Sequence, residues 1–515
     1  MATRSDKKTM ERASITAFYA GRSIFITGGT GFLGKVLVEK LLRSCPEIRE
    51  IFLLMRPKNG VGIDDRLRQM LQCPLFDKLR EEKPSTFEKL IPVGGDATVE
   101  GLGLGTPERR LLTERVSVIF HVAANVRFDA NLKKDVFANT RSTRDVCILA
   151  GGMKNLVALV HVSSAFAQCD KPVVDEIVYP PITDWRSVIK IAENMDEKTI
   201  KIISPKYLGS MPNTYTFSKR VAEDVISDYG KSLPSVIFRP SIVISTIQEP
   251  IIGWIDNFNG PVGMLIGGGK GILRVVFINP YSASDYLPVD VTIKSMITVA
   301  WKRGVETITK DPTVHVYNCT SHDIRRIVNK ELVAMGMRIN RKLPLDGIIW
   351  YPRTLLTNNR VLYYLLTLLF HILPAMLIDG VLKLTGRKPI LLGIQEKIYL
   401  TVVQLGHFLH NEWIFRNAKM LNSLTKDVPP SEKSIFGYDY SHFDIERFFQ
   451  DALIGAKRYL LHEDLSRLEA LKRHYNRMEW IDRIFNVCLA TATMWVLCRV
   501  GFFSYVADKL TFSMT

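Results

Sequence analysis

Apolar positions follow two regimes along the chain. In the first third, short β-branched and aromatic runs alternate with stretches whose apolar residues recur every three or four positions. Ser23–Thr27, Ile51–Met55, Val116–Val122, Leu156–Val162 and Ser235–Phe238 read as strands buried on both faces, and Gly34–Arg43 as a helix with one apolar face. Buried strands separated by helices predict an α/β fold, a doubly wound parallel sheet covered on both sides. From Ile242 to about Ala300 the pattern loosens around Gly260-Pro261 and Gly267-Gly268-Gly269, as expected of a substrate-facing segment of loops and short helices. Beyond about Asn340 the chain turns to apolar helices with basic and aromatic residues. The expected organisation is a polar tail (1–16), an α/β domain (17–340, its segment 242–340 facing the substrate), a mainly helical, membrane-associated C-terminal domain (341–465) and an apolar helix (484–506).

Two apolar stretches need separate treatment. Val361–Ile378 is about long enough to span a bilayer but carries His371 and Pro374. Ile484–Val506 is longer, and Asn486 and Arg499 are its only strongly polar interruptions; Arg499 sits where its stem can snorkel. Arg467, Lys472, Arg473, Arg477 and Arg483 precede this stretch and Lys509 follows it, so the positive-inside bias keeps the body of the chain in the cytosol and sends the short tail across. Were both stretches to cross, Arg387, Lys388 and the later basic cluster would lie outside the cytosol. Val361–Ile378 is therefore expected to be an interfacial or re-entrant helix, or a lipid-binding core helix. Plain burial in a core stays open for both stretches.

Composition narrows the classes. The chain has 515 residues, more than one compact core usually takes, and 47% apolar residues exclude general disorder. A net charge of +16 suits phosphate-bearing ligands or an anionic membrane, with a solvated basic surface as the plain alternative. The charge is dispersed and no stacking-aromatic module is evident, so no nucleic-acid partner is expected. Seven cysteines are scattered without Cys-x-x-Cys or zinc spacing, which fits a reducing compartment and no metal. Met1–Glu11 is polar and lacks the apolar core of a secretory signal.

The candidate chemistry begins at Thr27-Gly28-Gly29-Thr30-Gly31-Phe32-Leu33-Gly34, a glycine loop between a strand and a helix. Gly28 allows a tight turn, Gly31 lets the backbone approach a pyrophosphate and Gly34 lets the helix pack on the sheet, while the helix N-terminus offers free N–H groups to phosphate. The fold expectation becomes Rossmann-like, with a bound dinucleotide. The second strand ends in Met55-Arg56-Pro57-Lys58. It offers two cations where a carboxylate would hold an NAD ribose, so Arg56 and Lys58 favour the 2′-phosphate of NADPH; a solvated basic turn is the alternative. Asp96 after Gly94-Gly95 is placed near the adenine, and Ala123-Ala124 after His121-Val122 along the dinucleotide backbone, although tight packing would also explain the alanines. Tyr215 and Lys219 stand four apart, on one face of a helix. The ammonium can lower the phenol pKa and bind the nicotinamide ribose, and the phenol can give a proton to a carbonyl oxygen as hydride arrives. Ser163-Ser164 ends an upstream strand, and Ser164 is the preferred second hydroxyl; Arg239-Pro240-Ser241 ends the next strand near the expected nicotinamide.

These residues resemble the extended short-chain dehydrogenase/reductases and, within them, the eukaryotic fatty acyl-CoA reductases. The matching words are Thr27–Gly34, Arg239–Ile244, Gly253–Pro261, Gly269–Arg274, Val316–Cys319 and Asn411–Phe415. The likeness covers nearly the whole chain, and Trp254–Pro261 is far more specific than the glycine loop. It implies a long-chain fatty acyl-CoA substrate, reduced to a primary alcohol with two NADPH, and a membrane-associated C-terminal domain in contact with lipid. It also implies catalytic roles for Tyr215 and Lys219, with Ser164 where the family often has Thr. Phe166 stands where Tyr is frequent and Ser142 where Gly is usual. Lys270 and Arg274 are candidates for CoA phosphates, with solvated roles equally open. A membrane-bound steroid or sterol dehydrogenase and a non-catalytic NADP-binding lipid scaffold remain as alternatives. The endoplasmic reticulum is the expected compartment, with peroxisome or lipid droplet open, and the oligomeric state is not fixed by the sequence.

Overall fold

The computed structural model describes residues 14–308, 313–322, 324, 326–438 and 443–501. They fall into two compact units. The first takes the residues up to Gly260, Tyr281–Asn329 and Val403–Leu460; the second takes Pro261–Pro280, Lys330–Val402 and the residues from Leu461 on.

The core of the first unit is a seven-stranded sheet of β1 (Ser23–Thr27), β2 (Glu50–Met55), β3 (Leu90–Gly94), β4 (Val116–His121), β5 (Ala158–Val162), β6 (Ser235–Pro240) and β7 (His315–Cys319). Its order is β7-β6-β5-β4-β1-β2-β3, and every pairing is parallel. β1, β4 and β5 are buried along their whole length, which is why they read as unbroken apolar runs. β3 contains Pro92, which cannot donate to a ladder; it lies at the sheet edge, where that costs least. β7, at the other edge, carries His315 and Asn318 and so lacks a continuous apolar signature. Neither edge strand was expected from the apolar pattern.

The expected boundary near 340 is not how the first unit closes. Tyr286–Pro288 pairs with Ile242–Ile244, and Ile414–Phe415 pairs with Val173–Val174. The helix Ile445–Gly455 meets the turn at Gly253, where a Cβ on Gly455 would overlap the Gly253 carbonyl. Strand pairing and glycine-to-glycine approach thus recruit residues far along the chain.

Four helices matter below. α1 (Phe32–Ser44) follows β1, and α2 (Thr214–Tyr229) starts at Asn213, whose side chain accepts from the Thr216 N–H at 2.9 Å. In the second unit, α3 (Arg360–Leu384) is the one helix among the described residues long and apolar enough to cross a membrane by length and composition. α4 (Leu468–Arg499) carries the start of the apolar stretch Ile484–Val506, whose last residues, from 502, lie outside the described ones.

Gly28 has φ +75°, and a Cβ there would stand 2.6 Å from the Ala123 nitrogen; a Cβ on Gly34 would come within 2.7 Å of the Gly29 Cα. Gly28→Ala and Gly34→Ala are each expected to cost about 1–3 kcal/mol of stability, from strain and overpacking. Gly62→Ala, at φ −67° with nothing within 4 Å, should leave the melting temperature unchanged or raised. Equal melting of all three variants would contradict the packing described here.

Candidate active site

The carboxyl ends of the strands open into a cavity of about 1080 Å³, at the upper end of small-molecule sites. It spans the switch point where the strand order reverses between β1 and β4, the place where open α/β sheets bind their ligands. Gly28, Thr30, Gly31, Phe32, Leu33 and Gly34 line it from the first turn, Arg56 and Lys58 from the second, Asp96 from the third, and Ala123 and Ala124 from the fourth. Ser164, Tyr215, Lys219, Pro240 and Ser241 line it further along. Thr27 and Arg239 are not among the lining residues.

α1 begins at Gly31 with no side-chain cap, so its first N–H groups are free to meet pyrophosphate oxygens. Thr27 sits beneath the loop: its hydroxyl lies 2.7 Å from His121 Nδ1 and accepts from the Ala123 N–H at 3.2 Å. Beside the second turn Arg56 is exposed and pairs with Asp96 at 2.9 Å. Arg66 also lines the cavity and donates to the Arg56 carbonyl, giving three cations where two were expected. Arg66 lies on a helix after the turn, and neither its spacing nor a neighbouring motif marks it in the sequence. These features fit a dinucleotide.

Tyr215 and Lys219 lie one turn apart on α2. Lys219 is enclosed and donates to the Val162 carbonyl at 2.7 Å. Burial pulls its ammonium down to about 8, against an opposing pull from Glu223. Burial pushes the Tyr215 phenol up to about 12, while its hydrogen bond with Ser164 works the other way and Asp135 adds to the rise. Of the two adjacent serines, Ser163 is committed to Glu223 at 2.6 Å, leaving Ser164 for the phenol. Asp135 was missed by the sequence reading. Its carboxylate accepts from Thr214 at 2.5 Å and from Asn125 Nδ2 at 2.7 Å, tying the start of α2 to the loop after β4. Burial raises that carboxyl to about 6 despite both bonds.

Arg239 corrects an expectation. It does not line the cavity; its guanidinium pairs with Glu223 at 2.7 Å and donates to the Asp175 and Ile177 carbonyls at 3.1 Å. Its neighbour Pro240 does line the cavity, while the Arg239 side chain is taken up by the buried carboxylate of Glu223. Arg274, a candidate for CoA phosphates, is packed over Trp350 and Phe370 and lies 3.7 Å from Asp482 within the second unit. An aromatic wall flanks the phenol: Phe128 lies 5.6 Å from Tyr215 and 5.3 Å from Phe408, and Phe166 lies 5.4 Å from Phe408 and 5.5 Å from Trp413. On the cofactor side Trp254 stacks on Phe32 at 5.6 Å, and Asp256 pairs with Lys35. The segment from Gly253 therefore braces the helix that follows the glycine loop.

An NAD-binding family model described as male sterility protein matches residues 26–296, and a second, C-terminal model of the same description matches 370–463. Fatty acyl-CoA reductase 1 of Gallus gallus is 37% identical over 476 residues, 92% of each chain. The chain belongs to the fatty acyl-CoA reductase family. The human fatty acyl-CoA reductase 1 matches equally well, and fatty acyl-CoA reductase 2 of Mus musculus is 35% identical over 477 residues, again 92% of each chain. The fold is shared more widely. A reductase domain of a nonribosomal peptide synthetase from Mycobacterium tuberculosis has a TM-score of 0.56 at 19% identity, covering 89% of this chain and 96% of its own. The terminal reductase domain of the myxalamid pathway has a TM-score of 0.55 at 18% identity, covering 86% and 92%. In this reductase-family chain the two C-terminal words have structural places: Trp413 donates to the Cys169 carbonyl at 3.0 Å, and the Asn318 N–H donates to Glu176 at 3.1 Å.

Arg239→Ala leaves the enclosed Glu223 without its cation and is expected to cost about 3–5 kcal/mol, read as a drop in melting temperature of the cofactor-free protein. Unchanged melting with lost dinucleotide affinity would instead make Arg239 a ligand contact.

Proposed function

We propose that this chain reduces a long-chain fatty acyl-CoA to the primary fatty alcohol and free CoA, using two NADPH and two protons per turnover. The observation that carries the reading is the meeting of an uncapped helix N-terminus, a cationic second turn and the Tyr215–Ser164 pair in one cavity. The family membership and the aromatic wall beside Tyr215 support an acyl thioester over other carbonyl compounds.

The dinucleotide, when bound, supplies hydride to the substrate carbonyl. The N–H groups at the start of α1 hold its pyrophosphate, and Arg56, Lys58 and Arg66 meet the 2′-phosphate that distinguishes NADPH. Lys219 holds the nicotinamide ribose and sets a positive charge below the phenol. Tyr215 and Ser164 hydrogen-bond the carbonyl oxygen as negative charge builds on it. After the first reduction the thiohemiacetal collapses, the C–S bond breaks and CoA leaves as thiolate. The aldehyde then meets the same two hydroxyls, and Tyr215 gives its proton to the alkoxide. Asp135 positions Tyr215 by fixing the first residue of α2.

The chain works from the cytosolic face of a membrane, held by the stretch that begins in α4. The endoplasmic reticulum is the first compartment to examine, with peroxisome and lipid droplet next.

Tyr215→Phe should lower alcohol formation by about 10²–10⁴-fold while leaving NADPH binding intact; full alcohol output from cells that otherwise make no fatty alcohol would sink the assignment. Arg56→Ala with Lys58→Ala should weaken NADPH and leave NADH affinity nearly unchanged. The Lys219 cation is present below about pH 8 and lost above it. The reduction rate should therefore fall as pH rises through that value, and Lys219→Arg should remove this limb from the residual activity. A rate constant up to pH 10 in the parent enzyme would contradict the role given to Lys219.

A further inference from the structure

The helix α3 is built inside out. Its buried positions are Tyr363, Thr367, His371, Ala375 and Asp379, each four residues after the last, and four of the five side chains are polar. Its outward face is hydrocarbon: Val361 is 69% exposed, Leu365 60%, Leu377 72% and Leu384 88%. A helix lying between a protein core and water shows the reverse arrangement. A spacing of four would drift by about 160° over this length in a uniform α-helix. The π-helical turn Leu368–Ile372 takes up part of that drift and keeps the polar stripe facing inward.

The inner stripe makes specific bonds within the second unit. His371 Nε2 accepts from the Arg274 and Val275 N–H groups at 3.0 Å each. The Asp379 carboxylate accepts from the N–H groups of Ile390, Leu391 and Leu392 at 2.9–3.0 Å, so it caps the helix Leu391–His410 that follows. The exposed cations Arg360, Lys383, Arg387 and Lys388 stand at the two ends of α3, and no carboxylate is exposed along it.

Chain connectivity restricts what this face can do. Val403–Leu460 and the residues up to Gly260 belong to the same compact unit, so they share one side of any membrane. A chain that crossed through α3 would have to cross back before Val403. The helix available for the return exposes Glu396 and Lys397, and α3 is the one described helix suited to crossing. Carrying Arg387 and Lys388 across would add to the penalty.

The geometry points to a monotopic contact. α3 lies along the cytosolic leaflet of an anionic bilayer, its outer face sunk into the acyl layer and its terminal cations in the headgroup region. This surface is separate from the C-terminal stretch that begins in α4 and does not depend on the catalytic reading. It gives the chain a second hold on the lipid, which orients it on the membrane and restricts its tumbling.

Full-length protein in sealed microsomes, with its cytosolic face outward, tests this directly. A membrane-impermeant amine reagent should modify Lys383 and Lys388 from outside, as it does Lys190 of the first unit, when sites are mapped by mass spectrometry. Modification of Lys388 only after detergent would mean that α3 crosses, and would overturn the proposal. A phospholipid carrying a photoreactive group midway along its acyl chain, in vesicles of phosphatidylcholine and phosphatidylserine, should label the peptide containing Leu365, Leu369 and Leu377. Leu365→Ser, Leu369→Ser and Leu377→Ser together should remove most of that label without altering NADPH binding. Absence of the label from the parent protein, or crosslinks between α3 helices of two copies in its place, would refute the lipid assignment.

Discussion

The carboxylate of Glu223 is enclosed and accepts four hydrogen bonds: from Ser163 at 2.6 Å, Gln168 at 2.6 Å, and two arms of Arg239 at 2.7 and 2.8 Å. Burial alone would raise this carboxyl, yet the paired Arg239 charge and its hydrogen bonds hold it below the usual range, so it stays charged. A buried charge of this kind is tolerated only with near-complete pairing. That requirement fixes the end of β5, the end of β6 and the third turn of α2 with respect to one another. Lys219 lies one turn before Glu223, and Ser164 directly follows Ser163. The spacing of phenol, ammonium and hydroxyl is therefore set by an ion pair whose two residues do not line the cavity.

Local features were legible in the sequence and long-range ones were not. The glycine loop could be read because strand, turn and helix are contiguous and each glycine answers a steric demand at its own position. Tyr215 and Lys219 could be read because helical periodicity alone puts them together. Arg239 is not legible as a core residue, because the partners that hold it, Glu223 and the carbonyls of Asp175 and Ile177, lie far from it in the sequence. Pro92 hid β3, and polar residues hid β7, because edge strands need not be apolar. The wall of Phe128, Phe166, Phe408 and Trp413 joins segments separated by more than half of the chain, and no spacing rule reaches that far.

The C-terminal third shows a different limit. Apolar length identified Val361–Ile378 as a lipid-seeking candidate, but hydropathy averages over all faces of a helix. Which residues turn inward is decided by partners elsewhere, here the backbone of Arg274 and Val275 and the N-terminus of the next helix. His371 reads as a flaw in a membrane span when taken alone. In place, it is the residue that fastens the helix to its own unit.

The interleaving of the first unit bears on how the chain can be made. Its sheet takes its last strand from His315–Cys319, and the wall around Phe166 waits for Trp413 and Phe415. A ribosome therefore releases most of the second unit's helices, α3 among them, before the first unit can close. During that interval an outward-facing hydrocarbon helix is already outside the tunnel while the reductase site is incomplete. Early engagement of α3 with a bilayer would shelter that face through the vulnerable stage, making the order of synthesis itself part of how the enzyme reaches its working place.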